Sequence, residues 1–365
     1  MTNKRRVFVL GAGFTRAFIP AAPLVEDQYD IASLVAKFRA FPAAQRILEV
    51  ELKATGAGRL NIERIMTRLD GSMPYDSDTD ADQLRMLLAD VLHLVVERLR
   101  TMRNGTWHEA DMAAFARYCL KNQITCITFN YDDAFDQALW EVERAYRVEH
   151  PRPYWHPDGG YGFFCKPSDS CIQQTLITMD TAPLLLLKLH GSLNWRPKRG
   201  VRAPYALDDV VHHEAWSPHE ASLLPANLGA IEAHLAPAPL LIPPVLMKSA
   251  LVEQPLLRLI WSLAYDELRK AEEVVFVGYS FPTTDIGARF LFLEGLEHLG
   301  HSDIRAINYA TDTDAQKRLI RSYQSVFPNM TANQFEFGGA LEWARALFQT
   351  EDTTTPVTRE RPTEN

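Results

Sequence analysis

The chain has no pair of cysteines at Cys-x-x-Cys spacing. Its four cysteines, Cys119, Cys126, Cys165 and Cys171, are scattered along 365 residues. A zinc ribbon built on two such pairs is therefore excluded. A secretory leader is not read either. The basic start, MTNKRR, meets a short apolar run that breaks at Gly11-Ala12-Gly13, with no small-residue cleavage site behind it. Reduced thiols and a cytoplasmic location are expected. No apolar run is long enough to span a bilayer. Positive charge is in deficit, with 38 Lys and Arg against 46 Asp and Glu, a formal net charge of -8. That argues against binding nucleic acid by bulk charge, though a local basic patch or a nucleic-acid-binding partner stays open. The histidines lack His-x-x-x-His spacing, so no metal site is expected. His212, His213 and His219 are read as surface or loop residues. The stretch MPYDSDTDADQ alternates Asp76, Asp78, Asp80 and Asp82 but lacks the glycine and late glutamate of a calcium loop. It is read as a solvated acidic loop leading into a helix.

What is present is an ordinary globular balance, 47% hydrophobic and 23% charged. Short apolar runs recur between helical stretches. RVFVL (6–10), ITCITF (124–129), LLLLKLH (184–190), EVVFV (273–277) and IRAIN (304–308) read as buried strands. Residues 26–121 read as mostly helical. ADQLRMLLADVLHLVVERLRTM has apolar positions at helical spacing, and NIERIMTRLD has Asn61 as N-cap with Glu63 in its first turn. Further helices are expected over 133–147 and 251–271 and in ARFLFLEGLEHL. Residues 150–180 are rich in Pro, Gly and aromatics and read as an ordered excursion. Residues 196–240 show no periodicity, and 350–365 read as a disordered polar tail. The pattern predicts an α/β fold: a Rossmann-like parallel sheet flanked by helices, with a large mostly helical insertion over about 26–121 and no zinc module. Residues 1–349 are expected to form one nucleotide-binding domain.

In such sheets ligands bind beyond the carboxyl ends of the strands. Those ends carry Gly11-Ala12-Gly13, Asn130-Tyr131-Asp132, His190-Gly191, Gly278-Tyr279-Ser280 and Asn308. A Gly-x-Gly turn before a helix lets backbone approach a phosphate. The third glycine of the dehydrogenase fingerprint is replaced by Arg16, and no acidic strand end follows about 20 residues on. An ordinary dehydrogenase is therefore a poor reading. Asn130 and Asp132 can orient a hydroxyl, a water or an amide, or can simply form an Asx turn capping the next helix. His190 is either a satisfied core residue or a base working near neutral pH. Gly278-Tyr279-Ser280 is similar to a nucleophile elbow, but Pro282 stands where that elbow needs glycine. Only His298 and His301 follow, on or just after a helix. A turn that holds a ligand phosphate is the preferred reading.

Taken together, GAGFT, TFNYD, KLHGSLNW and VGYSFPTTD resemble the sirtuin-like domain of the silent-information-regulator superfamily. More narrowly they resemble its bacterial anti-phage-defence branch, over roughly residues 5–315 and in the expected order. The resemblance implies that Gly11, Ala12, Gly13, Phe14 and Thr15 hold the diphosphate of NAD. It implies that Asn130 orients the nicotinamide ribose or a water, that Asp132 holds the carboxamide, and that His190 is the general base. Gly278, Ser280 and Asn308 would line the adenosine half. The chain departs from sirtuin deacylases in lacking the zinc module, in carrying Phe129 where they carry Gln, and in its long helical stretch. Defence-type relatives share these departures and hydrolyse NAD. The resemblance therefore implies an NAD glycohydrolase, with NAD as substrate and no metal, depleting NAD when infection is sensed. The alternatives are an NAD-dependent lysine deacylase and a non-catalytic nucleotide sensor. An NAD-destroying enzyme must be held off at rest, and no second sensing domain is read after residue 345. Control by homo-oligomerisation, or by a separately encoded sensor or DNA-translocating ATPase, is expected, with 26–121 as the interface. Neither nucleic acid nor membrane is expected as a direct partner.

Overall fold

A computed structural model describes residues 4–24, 36, 38–39, 41–55, 62–71, 73–146, 155–167, 184–213, 216, 235–236, 238–242, 253–282 and 285–352. Among these lie nine strands: β1 Arg6–Leu10, β2 Thr125–Thr128, β3 Lys166–Pro167, β4 Leu186–Lys188, β5 Trp195–Pro197, β6 Val210–His212, β7 Glu273–Val277, β8 Ile304–Ile307 and β9 Phe335–Glu336. The helices are α1 Ala12–Phe18, α2 Pro42–Thr55, α3 Ile62–Asp70, α4 Asp78–Thr101, α5 Glu109–Asn122, α6 Ala134–Tyr146, α7 Pro255–Arg269, α8 Ile286–Gly295, α9 Thr313–Gln324 and α10 Ala340–Asp352.

The main sheet has the order β4-β2-β1-β7-β8-β9, and every pairing in it is parallel. Val7 stands opposite Thr125 on one side and Val274 on the other. The chain lays strands outward from β1 in one direction, then returns and continues from β7 in the other. This is the doubly wound arrangement, and its switch point lies between the carboxyl ends of β1 and β7. The apolar runs follow from it. With helices covering both faces, residues 7–10 and 274–277 are all buried, so no polar alternation is possible.

Two features had no local signal. The last strand, β9, is two residues long. A second, small sheet of order β3-β6-β5 draws β3 from the Pro- and Gly-rich excursion and β5 and β6 from the start of the stretch that shows no periodicity. Its strands of two or three residues are too short to carry a period. The acidic stretch also differs from the expected solvated loop. Helix α4 already begins at Asp78. The Ser77 side chain caps it, accepting from the Asp80 N–H at 3.1 Å, and Asp78 and Asp80 lie in the first turn, where the helix dipole favours them. Asp76 is held by the Arg68 guanidinium at 2.6 Å and by the Met73 N–H at 2.8 Å. Spacing of side chains, not density of acid, decides where that helix starts.

Helix α10 returns to pack on α1 and α5. Trp343 meets Phe8 edge-on at 5.3 Å and Phe115 at 6.0 Å between centroids. The helix runs to Asp352, into the first residues of the segment read as a tail; 353–365 lie outside the described residues, as do Asn61 and Cys171. Cys119, Cys126 and Cys165 are buried free thiols. No helix among the described residues is long and apolar enough to cross a membrane.

Candidate functional site

The Gly-x-Gly turn and the turn after β7 meet backbone to backbone. The Gly11 N–H donates to Val277 O at 3.0 Å, and the Gly13 N–H donates to Gly278 O at 2.9 Å. Gly278 has φ +63, and a Cβ there would lie 2.0 Å from Phe14 N. A Cβ at Gly11 would lie 2.5 Å from Gly278 O. These glycines are therefore required by the contact of the two strand ends, before any ligand is considered. The Phe14 side chain points into the core, against Phe18 and Phe115.

Thr15, Asn130 and Asp132 form one hydrogen-bonded unit. The Thr15 hydroxyl donates to Asp132 Oδ2 at 2.9 Å. Asn130 Nδ2 donates to Thr15 Oγ1 and to Gly11 O, both at 2.9 Å. A carbonyl oxygen can only accept, so the orientation of the Asn130 amide is set by chemistry. Both N–H groups are thereby spent. Asn130 Oδ1 has no partner among the described residues and remains as an acceptor. Asp132 also does what an Asx turn would do, its Oδ1 accepting from the Ala134 N–H at the start of α6. Burial pushes its carboxyl up, opposed by the nearby Lys188 ammonium and by the Thr15 hydrogen bond.

His190 stands in the turn that ends β4. It is 6% exposed and ringed by aromatics. Phe129 and Tyr131, the residues on either side of Asn130, place their rings 5.1 and 6.2 Å from the imidazole. Trp261 lies against it at 6.5 Å with 29° between planes, its Nε1–H donating to Leu189 O at 2.8 Å. Phe129 stacks on Tyr279 at 4.7 Å. Gly191 has φ +84, and a Cβ there would lie 2.1 Å from Leu240 O, so this position also demands glycine.

One residue of the site was missed in the sequence. Asp285 is the N-cap residue of α8, yet its side chain makes no capping hydrogen bond. It is 4% exposed, and its Oδ2 lies 3.8 Å from His190 Nε2 and 3.4 Å from the Tyr279 hydroxyl. A carboxylate that declines the cap is free to face the imidazole and fix the orientation of its ring. An acid before a helix reads locally as a cap, which hid it.

The remaining predicted residues are less close to the imidazole. Ser280 is exposed and makes no hydrogen bond to a histidine among the described residues. Asn308, at the end of β8, is buried with its Nδ2 unpartnered. Its backbone N–H donates to Glu336 O at 2.8 Å, which ties the end of β8 to β9. A cavity of about 220 Å³ opens beside the small sheet, lined by Pro197, Tyr205, Leu240, Ile242 and Gln254 among others; the Ile242 N–H donates to His190 O at 2.9 Å, so it borders the His190 turn. No acid or base lines it, so chemistry is not assigned there.

His212, read as a surface or loop residue, is instead buried in the small sheet. Its Nε2 lies 2.7 Å from Asp158 Oδ1, and His156 Nδ1 lies 3.3 Å from the same oxygen. Burial alone would raise the Asp158 carboxyl, but the two imidazoles hold it well below the usual carboxylate range. A histidine buried this completely needs such a partner for its ring nitrogen. No group of three metal-ligating side chains is found among the described residues.

The site thus offers one free amide acceptor, one imidazole with a carboxylate beside it, and a largely water-excluding aromatic wall. It can orient a hydroxyl or water and take up its proton. No protein-family model and no curated protein matches the chain. Among solved structures the chain is similar to a Sir2 homolog in complex with NAD, at 14% identity and TM-score 0.45, covering 96% of this chain and 91% of that one. It is also similar to a structure addressing the mechanism and regulation of Sir2 enzymes, at 11% identity and TM-score 0.41, covering 96% of this chain and 93% of that one.

Proposed function

We propose that the protein is an NAD glycohydrolase that cleaves the bond between nicotinamide and ribose. The observation that carries this reading is the Asn130 amide, whose N–H groups are spent on Gly11 O and Thr15 Oγ1. Its oxygen is left as an acceptor in the turn between Phe129 and Tyr131, whose rings flank His190, at the rim of a doubly wound sheet where dinucleotides bind.

The chemistry asks for little more. Nicotinamide leaves NAD as a neutral base from a pyridinium, so its departure needs no general acid. The glycosidic bond breaks with its electron pair going to the ring nitrogen, and positive charge builds on the ribose as in other glycoside cleavages. A water attacks the anomeric carbon, and His190 accepts its proton. The products are nicotinamide, ADP-ribose and a proton. Asn130 Oδ1 accepts from the water or a ribose hydroxyl and holds it in line. The aromatic wall limits competing solvent. The resemblance to defence-type sirtuin-like proteins supports a role in depleting NAD on infection, under the control of oligomerisation or a separate sensor.

The test is nicotinamide release from NAD by purified protein, with and without an acylated lysine peptide. His190→Ala and Asn130→Ala should each lose about a hundredfold or more in turnover. Release only in the presence of peptide would point to a deacylase. Binding of NAD with no turnover, or variants as active as the wild type, would end the hydrolase reading.

A further inference from the structure

Lys188 is fully buried, in a strand whose neighbours Leu187 and Leu189 are fully buried too. A buried ammonium is expensive unless it is paired and hydrogen-bonded. This one is saturated. Its Nζ donates to Asp132 O at 2.6 Å and to Asp136 Oδ1 and Oδ2 at 3.1 and 3.0 Å. Asp136, on α6, is 1% exposed and also accepts from the Tyr161 hydroxyl at 2.7 Å. Burial pushes the Asp136 carboxyl up to about 6, against the pull of Lys188 and Tyr161.

The pair sits between the two halves of the candidate site. On one side, Asp132 continues through Thr15 to Asn130. Asn130, Asp132 and Asp136 line one cavity of about 10 Å³, room for a single water. On the other side, the Tyr161 oxygen accepts from Asn194 Nδ2 at 2.7 Å, and Asn194 Oδ1 accepts from the Ser192 hydroxyl at 2.5 Å. Ser192 is two residues after His190. A continuous chain of charge-assisted and neutral hydrogen bonds therefore runs from the Asn130 turn to the His190 turn, with Lys188 and Asp136 at its centre. A buried ion pair is a poor source of net stability, but a satisfied one fixes geometry.

We propose that Lys188 and Asp136 are positioning residues that hold the Asn130 amide and the His190 turn in their working relation. The pair touches neither substrate nor reacting atoms; it acts through Asp132, Thr15, Asn194 and Ser192. The proposal rests on the NAD glycohydrolase reading for its activity readout but not for its structural one.

The experiment compares wild type, Lys188→Met/Asp136→Leu and Asp136→Asn. The double variant removes both charges at similar volume, which buried pairs tolerate better than loss of one partner. Turnover and KM for NAD, thermal midpoint and a crystal structure of each are measured. The expected result is a folded double variant with KM within about threefold of wild type and kcat lower by about a hundredfold, the usual cost of a small misplacement. Its Asn130 Nδ2 should leave Gly11 O and Thr15 Oγ1. Asp136→Asn keeps the side-chain shape and should show the same kcat loss in smaller degree. A double variant with wild-type kcat, or one whose Asn130 keeps both hydrogen bonds in the crystal, overturns the proposal. A double variant that does not fold, with Asp136→Asn as active as wild type, overturns it as well. An inert wild type ends the NAD reading by itself, and the position of Asn130 in the variant structures still decides the positioning role.

Discussion

At the residue scale, the acid beside the imidazole carries the sharpest expectation. Asp285 faces His190 Nε2 at 3.8 Å and does not cap its own helix. If it positions and polarises the imidazole, Asp285→Asn should lower kcat roughly tenfold or more with KM little changed. A normal kcat would reduce Asp285 to a packing role. Asn130 and His190 were legible in the sequence because each is an abrupt polar residue after a buried strand. Lys188 was visible as a lone charge among leucines, but its partners come from α6 and from the segment around Tyr161. No spacing in the sequence announces that meeting. Asp132 forms the Asx turn that caps α6, and its other oxygen anchors Thr15.

At the scale of elements, the five longer strands of the main sheet could be read from their apolar runs. The short β9 and the small sheet could not, since two or three residues hold no period. The consequence of the doubly wound order is a crowded junction where the ends of β1 and β7 touch. Gly278→Ala would force a side chain into left-handed backbone at φ +63 and drive its Cβ to 2.0 Å from Phe14 N. Left-handed backbone alone costs about 1–2 kcal/mol for an ordinary residue. With the clash added, urea unfolding should show a loss of more than about 2 kcal/mol. Gly105 is the control. It has φ -99, and a Cβ added there would meet nothing within 4 Å, so Gly105→Ala should be near neutral. Equal losses at both positions would mean the junction is looser than described.

At the scale of the whole molecule, the α/β class followed from alternating strands and helices, but the way the chain closes did not. Helix α10 returns across the molecule to cover β1 and α1, and nothing local in its sequence names that destination. Trp343 is 6% exposed against Phe8 and Phe115. Trp343→Ala should cost about 3–5 kcal/mol, read as a lower thermal midpoint with the main sheet intact by circular dichroism. Arg345 of the same helix also reaches Asp111 of α5, donating to both carboxylate oxygens at 2.9 and 2.7 Å. A midpoint unchanged in Trp343→Ala would show that the helix is dispensable. The seven tryptophans are spread through the fold, and Trp261 has its ring against the imidazole of His190. Its indole is also tied by a hydrogen bond to the residue before that histidine. The protein therefore carries its own fluorophore at the candidate site. A change in its emission is the expected signal when an aromatic ligand is seated beside it, without a label attached.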